Sequence, residues 1–364
     1  MTVGDDAPGR RDALVGRLIG AALGAVDLLN IYLGDRLGLY RVLVEVGPVT
    51  SSELAARTGV HERYAREWLE QQAVTGLVDV DDVGAEAAQR RYTLPAGHDE
   101  VLTEPDSPHQ LAYLSRLVAS IGQVTPKLVE AYRTDGGIAW AAFGSDMREA
   151  QAAQNRPIFL TQLGTEWLPR IPDVHVRLRA DPPGRVADVG CGAGWSSIAI
   201  AKAYPAVQVD GFDLDEASIT VARSNAAEHG VADRVHFDVR DVTDPGLTGR
   251  YDLVAGFEML HDLARPVEAL AAMRRLLADG GTVLIVDERV AERFTAPGDP
   301  LERLFYGFST LCCLPTGMAD QPSAATGTVM RPATLRSYAH AAGFGDIAIL
   351  PIDHDLFRFY RLRP

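Results

Sequence analysis

The chain has 364 residues, 47% of them hydrophobic and 23% charged, with a formal net charge of −14. That length predicts two domains rather than one, and the acidic balance disfavours nucleic acid and anionic membranes as partners. Cys191, Cys312 and Cys313 offer neither a disulfide framework nor a C-x-x-C metal spacing, which predicts a reducing, cytoplasmic home.

The N-terminal stretch MTVGDDAPGRRDA carries acids and no apolar centre. It reads as a frayed tail and not as a signal peptide. Over residues 14–45, Leu14, Leu18, Ala21, Ala22, Val26, Leu29 and Leu33 fall at helical spacing, interrupted by Gly20, Gly24 and Gly34. A helix this apolar has to bury most of its surface, so its first part is expected to dock on a second subunit. No apolar run reaches about 18–20 residues, so no membrane span is expected.

Thr50 with Glu53 forms a capping-box pattern that starts a helix, and Gly59 ends it. A second helix is predicted at about 61–73, presenting Tyr64, Trp68 and Leu69. LVDVDD and RRYTLP then read as a β-hairpin wing. Helix, turn, helix and wing make a winged-helix module. Residues 1–105 hold ten arginines and no lysine against nine aspartates and eight glutamates, a net charge of −7. A phosphate backbone rewards positive charge, so the module predicts protein contact rather than DNA reading; a transcriptional regulator is the rival reading.

Residues 106–180 are expected to be mostly helical. Trp140, Phe143, Phe159 and Trp167 are their large apolar anchors, and Pro157 kinks or restarts a helix. From Val186 strands and helices alternate: RVADVG, GWSSIAIAKAYP, VQVDGFDLD, EASITVARSNAAEHG, RVHFDVRD, YDLVAGFEML, RPVEALAAMRRLLADGG and TVLIVDE. Such alternation predicts a parallel, doubly wound α/β sheet. IAILPIDHDLFRFYRLRP supplies two further strands, read as an antiparallel hairpin at one edge.

The chemistry centres on VADVGCGAGWSS, where Gly190, Gly192 and Gly194 follow the first strand. A dinucleotide fingerprint needs G-x-G-x-x-G, and its third small residue is replaced here by Trp195. No Gly-Lys-Ser/Thr follows, so a P-loop is excluded as well. The ligand is therefore expected to lack phosphate yet to lie close to backbone. Asp213, at the end of the second strand, can accept hydrogen bonds from a ribose diol, or it can serve the helix that starts near Asp215. Asp241 in VRDV can accept from an exocyclic amine with Val242 packed on a purine ring; the alternative is a solvated loop.

In family order, DVGCGAGWSS, GFDLD, VRDV, FEMLHD and LLADGGTVLIVDE resemble the class I S-adenosylmethionine-dependent methyltransferases. With the winged-helix segment in front, the whole chain looks like the small-molecule O-methyltransferases. The resemblance implies a Rossmann-like, seven-stranded methyltransferase domain over 181–364. It implies a winged-helix dimerisation domain over 1–105, giving a homodimer, and a helical linker and substrate lid over 106–180. The implied cofactor is S-adenosylmethionine, leaving as S-adenosylhomocysteine. Asp188 and the glycine turn would hold the methionine end, Asp213 with Leu214 the ribose, and Asp241 with Val242 the adenine, with Phe257 near the donor. His261 would be the general base for a hydroxyl on a small, mostly apolar acceptor, steadied by Asp287, with Glu288 one residue on. Leu263 stands where that family carries tryptophan. A sulfonium donor calls for no metal. A protein that binds the donor without transferring methyl is the alternative within this fold. Cys312 and Cys313, in YGFSTLCCLPTGM, read either as buried small hydrophobes or as a pocket wall with Tyr306, Phe308 and Met318.

Overall fold

In the computed structural model, which describes residues 7–364, helix α1 already starts at Ala7 and runs unbroken to Arg36. Residues 7–13 are therefore helical and not a tail; residues 1–6 lie outside the described part. Gly20 and Gly24 do not interrupt α1, because a glycine costs a helix interior only about 1 kcal/mol and the neighbouring apolar residues favour the helix. Nor does α1 bury its apolar side within this chain: Leu14, Val15, Leu18, Ile19, Leu23 and Val26 are all at least half exposed. By length and composition α1 is apolar enough to cross a bilayer, which corrects the expectation that no segment is.

Two compact units divide the chain. The first holds the residues up to Gly122 together with Glu149–Gln154, and the second holds Gln123–Arg148 and Asn155–Pro364. In the first, α2 (Leu39–Val46), α3 (Ser51–Thr58) and α4 (Glu62–Val74) pack around Leu43, Val49, Leu54, Trp68 and Leu69. Thr50 and Glu53 close the capping box reciprocally: the Glu53 amide donates to Thr50 Oγ1 at 3.2 Å and the Thr50 amide to Glu53 Oε2 at 2.8 Å. Strands β1 (Asp79–Val80) and β2 (Tyr92–Thr93) form the antiparallel wing. The last turns of α1 are built into this core. Trp68 Nε1 donates to the Asn30 carbonyl at 2.9 Å, and a Cβ on Gly34 would overlap the rings of Tyr40 and Trp68.

The second unit is built on a seven-stranded sheet: β3 (Arg185–Val189), β4 (Gln208–Asp213), β5 (Val235–Val239), β6 (Tyr251–Phe257), β7 (Leu277–Glu288), β8 (Asp346–Ile349) and β9 (Phe357–Arg363). Its order is β5-β4-β3-β6-β7-β9-β8. Strands β5, β4, β3, β6 and β7 pair in parallel, and β9 pairs antiparallel with both β7 and β8. The chain leaves β3 for β4 on one side and later returns to β6 on the other, so the strand order reverses beside β3. Such a reversal opens a crevice at the carboxyl ends of the strands. Pro157 lies in the helix Gly144–Ile158, which passes without a break into a π-helical stretch, Phe159–Trp167.

Gly34 gives a direct test of how α1 is anchored. Gly34→Ala forces a methyl against two aromatic rings, so it lowers the unfolding free energy by about 1–3 kcal/mol, read by urea titration.

Candidate active site

Three glycines turn the chain from β3 into the helix Trp195–Ala203, and all three have positive φ. Their surroundings differ. A Cβ on Gly190 would lie 2.9 Å from Met259 Cβ, and one on Gly194 would lie 2.5 Å from the Phe237 ring, whereas one on Gly192 would meet nothing within 4 Å. Gly190 and Gly194 are thus required by packing, and Gly192 is the point where backbone faces open space. Trp195 is buried, edge-on to His229 at 5.3 Å, which explains an indole where a dinucleotide site needs a small residue.

Asp188 lies at the core of the turn and is fully buried. Its Oδ2 accepts from Ser196 Oγ and Ser197 Oγ, both at 2.6 Å, and its Oδ1 has no hydrogen-bond partner. Burial pushes its carboxyl up to about 6, against the two serine hydrogen bonds. Asp213, at the end of β4, braces the same turn: Oδ2 accepts the Gly192 amide at 2.8 Å and Oδ1 the Asp215 amide at 2.9 Å. Burial raises its pKa also. The helix near Asp215 is capped by Asp215 itself, which accepts from the Ser218 amide and is clamped by Arg148 at 2.7 Å. Leu214 is 65% exposed, an open apolar side chain beside the turn. Asp241 ties down its own loop, accepting from the Thr243 amide and hydroxyl, while Val242 is buried. Phe257 is buried against Phe159, 5.3 Å between centroids.

The second half of the site lies past β6. Gly256 and Phe257 end the strand, and Glu258 takes φ +52, rare for a side chain with a Cβ. That turn leads into a 3₁₀ turn, Leu260–Asp262. His261 is 2% exposed. Its Nδ1 lies 2.7 Å from Asp287 Oδ1 and 3.0 Å from Glu288 Oε2, both at the end of β7, and its Nε2 lies 3.2 Å from Asp262 Oδ1. Burial alone would strip the ring of its proton. The charges of Asp262, Asp287 and Glu288 outweigh that and hold its pKa well above the usual histidine value. Burial pushes Glu258 up to about 8, opposed by the His261 charge. Cys313, from the π-helical stretch Ser309–Cys313, lies beside His261 and Asp262, their ligand atoms within 4.8 Å of one another, and a hydrogen bond with Cys312 lowers its pKa.

The two halves touch at Gly190, whose Met259 neighbour is two residues from His261. The structure thus brings together Asp188, the glycines, Asp213 and Leu214 on one side, and His261 with Asp287 on the other. Asp262, Glu258 and Cys313 complete the surroundings of His261; of these the sequence had marked only Cys313, as a buried hydrophobe or a pocket wall.

Residues 181–309 match the family model described as a methyltransferase domain, and residues 24–104 match an Rv2258c-like winged HTH domain. The chain carries a methyltransferase domain behind a winged-helix domain. Among curated relatives, ajmaline N-methyltransferase of Rauvolfia serpentina is 32% identical over 105 residues, 29% of this chain and 36% of that protein. The ubiquinone biosynthesis O-methyltransferase of Azotobacter vinelandii is 29% identical over 205 residues, 56% of this chain and 80% of that one. The matches to the first curated relatives span between 24% and 43% of their lengths. Solved structures align over nearly the full length. Mitomycin 7-O-methyltransferase has a TM-score of 0.70 at 20% identity, covering 98% of this chain and 99% of that one. Human N-acetylserotonin methyltransferase, solved with SAM, also has a TM-score of 0.70 at 18% identity, covering 100% and 99%. These likenesses cover the residues of both units.

Asp188 makes the domain's stability depend on pH. Between about pH 4 and 6 the folded chain keeps a proton that the unfolded chain has released, so stability falls as pH rises through that window. Asp188→Asn removes the slope. Relative to wild type, the variant gains on the order of 2 kcal/mol in unfolding free energy between about pH 4 and 7, measured by urea titration at each pH.

Proposed function

We propose that the chain is an S-adenosylmethionine-dependent methyltransferase acting on a hydroxyl of a small, mostly apolar molecule, with His261 taking the hydroxyl proton. The observation that carries this reading is the buried His261–Asp287 pair, one packing contact away from the glycine turn.

The turn suits such a cofactor. Asp188 Oδ1 is a buried, unpartnered acceptor, and Gly192 leaves room for a ligand against its backbone. Asp188 would face the amino-acid end, Asp213 and Leu214 the ribose, and Asp241 and Val242 the adenine. Phe257 would support the donor region from behind through Phe159. When bound, S-adenosylmethionine supplies an electrophilic methyl on a positively charged sulfur. The protein's task is to orient the acceptor, exclude water and receive a proton. In this reading the acceptor hydroxyl replaces Asp262 at His261 Nε2, while Asp287 holds Nδ1 and stabilises the charge that forms.

The resting ring is protonated, because Asp262, Asp287 and Glu288 raise its pKa. Glu258 and Cys313 also face it. Only the fraction of chains that has lost the ring proton can accept another. Turnover is therefore expected to keep rising with pH above the usual histidine range. Asp262→Asn removes one of the three charges and moves the profile to lower pH; a rate flat with pH in both proteins contradicts this role. His261→Ala is expected to lower turnover by about 10²–10⁴-fold while S-adenosylhomocysteine still binds. The test follows labelled methyl from donor to candidate phenols and alcohols. The protonated ring also favours a second reading, in which the donor is bound without methyl transfer; absence of S-adenosylhomocysteine product would select it.

For the exposed side of α1 we infer a second copy of this chain as partner. Asp27 accepts from Gln71 at 3.1 Å, and Asn30 and Gly34 are packed into the winged-helix core, so the last turns of α1 are committed to protein. The first turns carry Arg10, Arg11, Asp12 and Arg17, which a bilayer interior disfavours. The acidic charge of residues 1–105 supports a protein partner over nucleic acid. Leu18→Glu with Ile19→Glu should convert a dimer to a monomer by light scattering; an unchanged mass would exclude this face.

A further inference from the structure

The carboxylates around His261 outnumber what one ring can satisfy. Nδ1 carries at most one proton, yet two carboxylate oxygens lie within hydrogen-bond reach of it, Asp287 Oδ1 at 2.7 Å and Glu288 Oε2 at 3.0 Å. Asp287 Oδ1 takes the better bond and also accepts the Glu288 amide at 3.0 Å. Glu288 Oε2, aimed at the same nitrogen, and Asp287 Oδ2 are both buried without a donor, and the two carboxyl groups can pair only through a proton, which burial favours on Glu288. Asp287 is 1% and Glu288 9% exposed, so bulk water does not supply the missing partners.

We propose that His261 Nδ1, Asp287 and Glu288 form a site for one borderline divalent cation of the zinc and cobalt kind. One ligand atom from each of the three residues lies within 4.8 Å of the others. Ligands around an ion at about 2.1 Å lie about 3.0 Å apart at right angles and about 3.4 Å apart in the tetrahedron zinc prefers, so the two distances from Nδ1 need open by less than about 1 Å. An imidazole with two carboxylates suits a borderline ion better than the all-oxygen sets that calcium and magnesium take. The ion takes the place of the Nδ1 proton and of the proton that burial favours on Glu288; both leave to solvent, and the two carboxylates then share one cation. Asp262 adds negative charge nearby. With Nδ1 on the ion, the remaining ring proton sits on Nε2, so the ring there donates and does not accept. Cation loading therefore switches off the proton acceptor. This consequence rests on the proposed role of His261; the site itself does not.

The test uses the full chain, stripped with chelator and titrated with Co²⁺ and then with Zn²⁺. One Co²⁺ per chain, with visible ligand-field absorption that Zn²⁺ abolishes, is the expected result. Asp287→Asn and Glu288→Gln, each checked for native circular dichroism, weaken binding by about tenfold or more; Glu216→Gln, exposed and remote, leaves it unchanged. No binding at micromolar cobalt, or binding unaltered in both variants, overturns the site. If cobalt binds through these residues and methyl transfer by the loaded protein is undiminished, the cation site stands and the base role of His261 falls.

Discussion

One buried imidazole faces more carboxyl groups than it can pair with, and the second unit is arranged to hold it there. Asp287 and Glu288 end β7, Glu258 follows β6, and the two strands run in parallel with Phe257 opposite Val286. The Glu258 amide donates to the Val286 carbonyl at 2.8 Å, which fixes the positive-φ turn that delivers His261 to the end of β7. Asp262 and Asp287 face the ring as carboxylates, while burial pushes Glu258 and Glu288 toward the neutral form. The pairing of β7 with β6 on one side and β9 on the other keeps them in place. A strained residue next to a buried ion pair is the kind of cost that folds retain at working sites.

The glycine turn and the histidine loop form one mechanical unit. Gly190 has no Cβ because Met259 occupies that space, and Met259 lies in the loop that carries His261. A change in the turn therefore reaches the loop that carries His261 through a single side chain. The turn itself is stiffened from below by Asp188 and its two serines and from the side by Asp213. What remains free in it, the open side of Gly192 and one oxygen of Asp188, is what a cationic, phosphate-free ligand requires.

Much of this was legible in the sequence because local rules decided it. The capping box at Thr50, the wing, the alternation of strands and helices and the edge hairpin each rest on neighbours close in the chain. Asp287 beside His261 was legible only through family resemblance, since 26 residues separate them. Glu258 gave no signal, because it owes its position to a turn that sequence pattern does not encode; Cys313 was marked as a candidate pocket wall, but its place beside His261 depends on a π-helical stretch about 50 residues later. The exposure of α1 was misjudged for a related reason. Apolar periodicity says that a face wants covering, and it does not say whether the cover belongs to the same chain.

The central claim is that the acidic, glycine-lined end of β3 binds a nucleoside carrying a charged sulfur and no phosphate. Calorimetric titration of the purified chain with S-adenosylhomocysteine, S-adenosylmethionine and NAD tests it most directly. Both sulfur compounds are predicted to bind one per chain, more weakly in Asp213→Ala, with no heat of binding from NAD. A chain that prefers the dinucleotide, or that binds neither sulfur compound, would contradict the claim.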